Sequence, residues 1–205
     1  MILMDPLRLI HPTNLTRLGG VKEQRFKANK YCTEAIMDYR RVWQPGGSYF
    51  FTVVTHQRQN LLVQNEYLKY LRQAFHHIRK KRPFRIDAIV VLPDHLHCIW
   101  QLPPDDDDFA TRWRLIKHFV SCKINKNLNN KTVIWQKRYW EHCIRNENDW
   151  KNHMDYIHYN PVKHGYVTSP GEWSHSSFSR AVNKGFYDIN WGGNLNNEVL
   201  QMEFE

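Results

Sequence analysis

Two imidazoles separated by one residue, His95 and His97, are the first side chains in this 205-residue sequence whose spacing suits chemistry. On an extended strand alternate side chains face the same way, so both rings share one side while Leu96 enters the other. Rings so placed can converge on one divalent cation, or they can be two polar residues on a solvated strand face. Tyr156 and Asn160, four apart and just ahead of Pro161, share one face of a helix. A phenol and a carboxamide in that relation could be a nucleophile beside a third, oxygen-donating ligand. The plainer alternative is a boundary tyrosine with Asn160 ending the helix before proline. Tyr159 is the competing phenol, but it is turned away from Tyr156 around the helix and does not share a face with Asn160. His153 lies one turn before Tyr156, whereas His158 points elsewhere and suits the surface or a contact with a binding partner.

The elements that must carry these residues can be read from pattern. Ser48 to Thr55 is a run of β-branched and aromatic residues after the turn Pro45-Gly46-Gly47, hence a strand. Tyr67, Leu68, Leu71, Phe75 and Ile78 recur at helical spacing, so Asn65 to Lys81 is a helix, with cations at its C-terminal end and Pro83 beyond it. Arg85 to Leu92 and His95 to Leu102 read as strands joined by a tight Pro93-Asp94 link. Asp108 can cap the next helix, which carries Phe109, Trp113, Ile116, Phe119 and Val120 inward. A short strand is expected at Thr132 to Trp135, then a helix from Asn148 to about Asn160, stopped by Pro161. This order gives an α+β, ferredoxin-like antiparallel sheet with helices packed against one face, both faces being the alternative. The expected divisions are an N-terminal extension (1–37), a catalytic domain (38–168) and an aromatic tail (169–205) that packs on the domain.

Lys and Arg outnumber Asp and Glu by 29 to 20, a net charge of +9, and this favours a polyanionic partner. The four cysteines form no CxxC pair, which argues against a zinc knuckle or a disulfide scaffold. No apolar run approaches the ~20 residues of a membrane span, and the first twenty residues make a poor signal peptide. A cytoplasmic, nucleoid-associated protein is the expectation.

Three segments, Val90–Trp100 (VVLPDHLHCIW), Trp135–His142 (WQKRYWEH) and Asp155–Gly165 (DYIHYNPVKHG), together resemble the REP-associated tyrosine transposases, relatives of the single-tyrosine insertion-sequence transposases. The resemblance runs from about residue 38 to 191. It implies the HUH nuclease fold, with His95 and His97 as metal ligands, Asn160 completing the metal site and Tyr156 as nucleophile. It implies Mn²⁺ or Mg²⁺ as cofactor, and a monomer whose own tyrosine completes its own site. The implied substrate is single-stranded DNA from repetitive extragenic palindromes, folded as hairpins, cut and rejoined through a 5′-phosphotyrosine link. A phenol is a weak nucleophile at neutral pH; a cation polarising the phosphate makes its attack feasible. Glu141 and His142 fall in a family-like block and are expected to support the site without ligating.

For DNA contact the candidates are Arg72, Arg79, Lys80, Lys81, Arg82 and Arg85, then Arg112, Arg114, Lys117, Lys123 and Lys126, with Lys163 and His164 just after the nucleophile helix. Two rivals remain: a domesticated protein that binds such hairpins without cutting, and a zinc hydrolase on His95 and His97. The second lacks a nearby third ligand at the usual zinc spacing. Trp173 and Trp191 suggest that the tail folds over the active site, in which case truncation after about Trp173 raises cleavage.

Overall fold

Ser48–Val54 forms strand β1 at the centre of an antiparallel sheet in which every residue after Ser48 is buried. The computed structural model describes residues 43–129, 131–192 and 197–204; the N-terminal extension expected over 1–37 lies outside them. Helix α1 (Asn65–Lys81) connects β1 to β2 (Arg85–Val91), and β3 (His95–Gln101) returns between them, giving the order β2-β3-β1. This is a split βαβ unit, the basis of the ferredoxin-like α+β fold. Helix α2 (Phe109–Leu128) follows, and β4 (Trp140–Cys143) completes the sheet on the free side of β1. Asp108 caps α2 as expected, accepting from the Thr111 N–H at 2.9 Å.

Strand alternation separates two cores. Tyr49, Phe51 and Val53 of β1 and Leu96, Cys98 and Trp100 of β3 face α1 and α2, where Trp100 stacks on Trp113 at 4.3 Å. Phe50, Ala88, Val90 and Ile99 face the opposite way, against Met154, Tyr156 and Ile157 of α3 (Glu147–Lys163). Helices therefore cover both faces of the sheet. The large Trp and Phe side chains fill the α1/α2 layer, and the side bearing His95 and His97 is closed by α3.

Two expected boundaries differ. Thr132 to Trp135 is not a strand; Trp135 makes only an isolated bridge to Thr55. The fourth strand is Trp140–Cys143, whose four residues owe their extended form to pairing with β1 (Tyr49 with Cys143, Phe50 with His142). Helix α3 also passes through Pro161 and ends at Lys163. Near a helix end proline removes one of the last ladder bonds, a smaller loss than in mid-helix. Gly165, at φ +70°, then stops the helix: its N–H donates to Val162 O, and the Tyr166 N–H donates to Pro161 O.

The chain beyond α3 packs back on the domain. Trp173 Nε1 donates to Val91 O, Tyr187 donates its hydroxyl proton to Asp155 at 2.6 Å, and Phe178 of α4 (Phe178–Asn183) is fully buried. After α5 (Asn197–Leu200), Met202 and Phe204 join the core under α3.

Candidate active site

The β3 alternation brings His95 and His97 to the α3 side, their ring centroids 4.8 Å apart and both rings buried. Each has its Nδ1 edge fixed by a neighbour. His95 Nδ1 lies 2.7 Å from Asp94 Oδ1, and His97 Nδ1 lies 2.9 Å from Thr52 Oγ1 across the β1–β3 pairing. With Nδ1–H donating to these oxygens, Nε2 is left on each ring as the ligand atom. Asp94 is held in turn by Arg58, 2.9 Å from its other oxygen. The turn that delivers Arg58 puts Gln57 and Arg58 in the left-handed region, which disfavours side chains with a Cβ. Burial alone would raise the Asp94 carboxyl, but the bonds and charges of His95 and Arg58 bring it down to about 2. Burial, then the charges of His95, His164, Lys163 and Arg58, push His97 well below the usual histidine range, so it is a neutral imidazole.

Helix α3 supplies the other half. The Tyr156 ring is 5.2 Å from that of His97 and is 1% exposed. Asn160 is fully buried one turn later; neither its Oδ1 nor its Nδ2 has a hydrogen-bond partner among the described residues, and the same holds for His97 Nε2. Buried polar atoms left this way each cost on the order of 1–3 kcal/mol. A divalent cation would satisfy the imidazole nitrogen and the carboxamide oxygen, so the donor set fits a bound metal. Tyr159 makes no ring contact with the two histidines among the described residues, in keeping with its placement around the helix.

Several residues here were not singled out in the sequence for these roles. His164, the residue capping α3, brings its ring to 5.3 Å from His95. Lys163 Nζ sits 5.1 Å above the Tyr156 ring and donates to Met202 O. Phe204 packs on Tyr156 (5.2 Å), Phe50 (5.1 Å), His153 (5.2 Å) and Trp140 (4.6 Å), covering the phenol. Asp94 had a usable signal, a carboxylate adjoining the first histidine; Thr52, Arg58 and Phe204 had none, since only folding brings them here.

A second group, His142, Asp149 and His153, offers three ligand atoms within 4.8 Å of one another. The Asp149 carboxylate bridges the two imidazoles, 2.9 Å from His142 Nε2 and 3.0 Å from His153 Nδ1. Burial opposes its ionisation, but the bonds from His142, His153 and the Arg145 N–H hold it well below the usual carboxylate range. The two rings are near-parallel, 14° apart at 4.8 Å. Imidazole lone pairs lie in the ring plane, so the rings would have to rotate for both to reach one ion. As they stand, the three residues brace β4 against α3.

Two expected surface residues prove to be internal. Arg112 is fully buried and is no DNA contact: its guanidinium pairs with Asp106 at 2.6 Å and donates to Pro83 O, Arg82 O and Asp108 O. Five donors in a fixed fork suit that cage of oxygens. His158 is also fully buried, bonded to Ser177 Oγ at 2.9 Å. Among the other expected DNA contacts, Arg79 donates to Phe84 O, Arg82 pairs with Asp108, Arg85 with the buried Asp87, and half-buried Lys117 with Gln136 O. Arg72, Lys80, Lys81, Arg114, Lys123 and Lys126 are exposed. All six lie on α1 and α2, across the sheet from the histidines.

A four-stranded antiparallel sheet, a histidine pair on a central strand and a tyrosine on the facing helix define a class, and residues 44–160 match the family model of the IS200-like transposases. The chain is 47% identical over 161 residues to the REP-associated tyrosine transposase of Escherichia coli strain K12, covering 78% of this chain and 93% of that one. A Haemophilus influenzae relative provisionally given the same name is 42% identical over 168 residues, 78% and 95% of the two chains. Among solved structures, a REP-associated tyrosine transposase bound to a REP hairpin superposes with a TM-score of 0.69 at 45% identity, covering 79% of this chain and 94% of that one. The chain belongs to the IS200-like transposases and, among them, to the REP-associated tyrosine transposases.

Proposed function

We propose that this transposase cuts and rejoins single-stranded DNA at the foot of REP-type hairpins, with Tyr156 as nucleophile and His95, His97 and Asn160 holding a divalent metal. The observation that carries this reading is the approach of the Tyr156 ring to His97, 5.2 Å ring to ring, beside a His97 Nε2 and an Asn160 carboxamide that have no partner among the described residues. The solved relative bound to a REP hairpin supports the choice of substrate. Bound Mn²⁺ or Mg²⁺ would supply Lewis-acid chemistry, drawing charge from a phosphate oxygen.

The chain's own groups do the rest. Asp94 and Thr52 fix the two imidazoles by their Nδ1 edges, so no reorganisation is needed when a phosphate arrives. Lys163, above the Tyr156 ring, favours the phenolate as the proton departs. The phenolic oxygen attacks phosphorus, and the bond from phosphorus to the 3′ oxygen breaks. That oxygen takes up a proton and leaves as a 3′-hydroxyl, with the 5′-phosphate joined to Tyr156. Attack by a 3′-hydroxyl on that ester reverses the step, so rejoining needs no ATP. One chain carries the whole constellation, so we assign a monomer acting on chromosomal DNA in the cytoplasm.

The test is a denaturing gel after incubation with Mn²⁺ and a labelled hairpin strand from the host's repeats. A covalent adduct lost in Tyr156→Phe and kept in Tyr159→Phe is expected. Tight hairpin binding with no adduct under any metal would leave a non-cleaving binder instead.

A further inference from the structure

An aromatic track leads from the histidine pair to the surface. The ring of His164 meets His95 edge-on at 5.3 Å, Tyr166 lies near-parallel to His164 at 5.8 Å, and Trp173 lies near-parallel to Tyr166 at 5.4 Å. We propose that Tyr166, backed by Trp173, is the stacking platform for an unpaired base of the single strand flanking the phosphate at the His95–His97 site. This rests on the reading that the site acts on single-stranded DNA.

Three features support it. Tyr166 is 44% exposed, yet its backbone is fixed by the bond to Pro161 O after the left-handed Gly165. Trp173 is anchored independently by its indole N–H on Val91 O at 3.0 Å. An exposed ring held this firmly, with a partly buried indole behind it, loses little freedom on binding, and a base gains stacking without regard to its identity. Charge favours the same course. At the inner end Arg58 pairs at 2.9 Å with Asp94, beside His95, and Lys163 Nζ lies 5.1 Å from the Tyr156 ring. A phosphate backbone running along the rings therefore meets cations where it reaches the histidine pair.

The experiment measures binding of a REP-hairpin oligonucleotide with an unpaired flank to the full chain carrying Tyr156→Phe, in Mn²⁺, by fluorescence anisotropy. An abasic site is moved through the flank one nucleotide at a time. At one position next to the cleavage point the abasic strand should bind roughly five- to hundredfold more weakly. Tyr166→Leu should lose a similar factor on the intact strand and lose nothing further on the abasic one, while Tyr166→Phe binds normally. Unchanged binding by Tyr166→Leu, losses that multiply at every flank position, or an equal loss in Tyr166→Phe would overturn the platform while leaving the Tyr156 adduct standing. Failure of the unsubstituted protein to bind or cut any such strand would remove the nuclease reading and the platform with it.

Discussion

Removing the C-terminal cover should release the proposed nucleophile, Tyr156. Phe204 stacks against four rings, including Tyr156, and the Lys163 ammonium that would assist the phenol is engaged by the Met202 carbonyl. Tyr156 is 1% exposed with this segment in place, so lifting it is the expected way for a phosphate to reach the phenol. Partial burial of one phenyl ring contributes about 1.5 kcal/mol. Its ring contacts and the lysine bond add about 1 kcal/mol between them. At 1.4 kcal/mol per factor of ten, the uncovered state is roughly one molecule in 50 to 100. Deleting residues 201–205 should therefore raise the single-turnover rate of adduct formation by about 50-fold, and Phe204→Ala by about tenfold. The deletion is confined to these residues because a cut near Trp173 would also remove Ser177, Phe178 and Tyr187, which hold α3 in place. The assay is a rapid-quench time course of the covalent adduct under saturating DNA, with thermal unfolding checked in parallel. An unchanged or slower rate in both variants, at unchanged stability, would refute the reasoning.

Asp94→Asn should weaken Mn²⁺ binding about 10- to 100-fold, since it removes the carboxylate that orients His95; calorimetric titration checks this, and an unaltered affinity counts against the positioning role. Arg112→Leu should destabilise the fold by about 3–5 kcal/mol, because Asp106 and three carbonyls lose their donors. Hairpin affinity of whatever fraction remains folded should be unchanged, which urea melts and binding isotherms together resolve. His158 gives a pH signature: burial, with the Arg180 charge, lowers its pKa from 6.5 to about 3 in the folded state. The unfolded chain then binds the extra proton, so this contribution is complete above pH 6.5 and is lost as pH falls towards 3. Between those limits it changes by up to about 1.4 kcal/mol per pH unit. His158→Gln should flatten the slope of unfolding free energy against pH by that amount, and an identical slope would show that His158 does not titrate on unfolding.

The contrast between what was legible in the sequence and what was not follows the range of the interactions. Helix α1 was readable to its boundaries because a 3.6-residue period and a terminal cation cluster are local signals. The placement of His95 and His97 on one side of β3 follows from strand alternation alone. The family itself was legible in three short segments, and the α+β sheet in the order of elements. Strand β4 was not, because Trp140–Cys143 has no strong pattern of its own and is extended by its pairing with Tyr49 and Phe50, some ninety residues earlier. Arg112 looked like one more cation on a basic helix; only the fold surrounds it with Asp106 and three carbonyl oxygens, at which point its charge becomes internal structure. Thr52 behind His97, Arg58 behind Asp94 and Phe204 over Tyr156 are likewise contacts between residues that sequence keeps far apart. Residue type and period fix which groups can do chemistry and on which face they stand. Which neighbours orient, charge and cover them depends on chain segments that meet only when burial of the two cores brings them together.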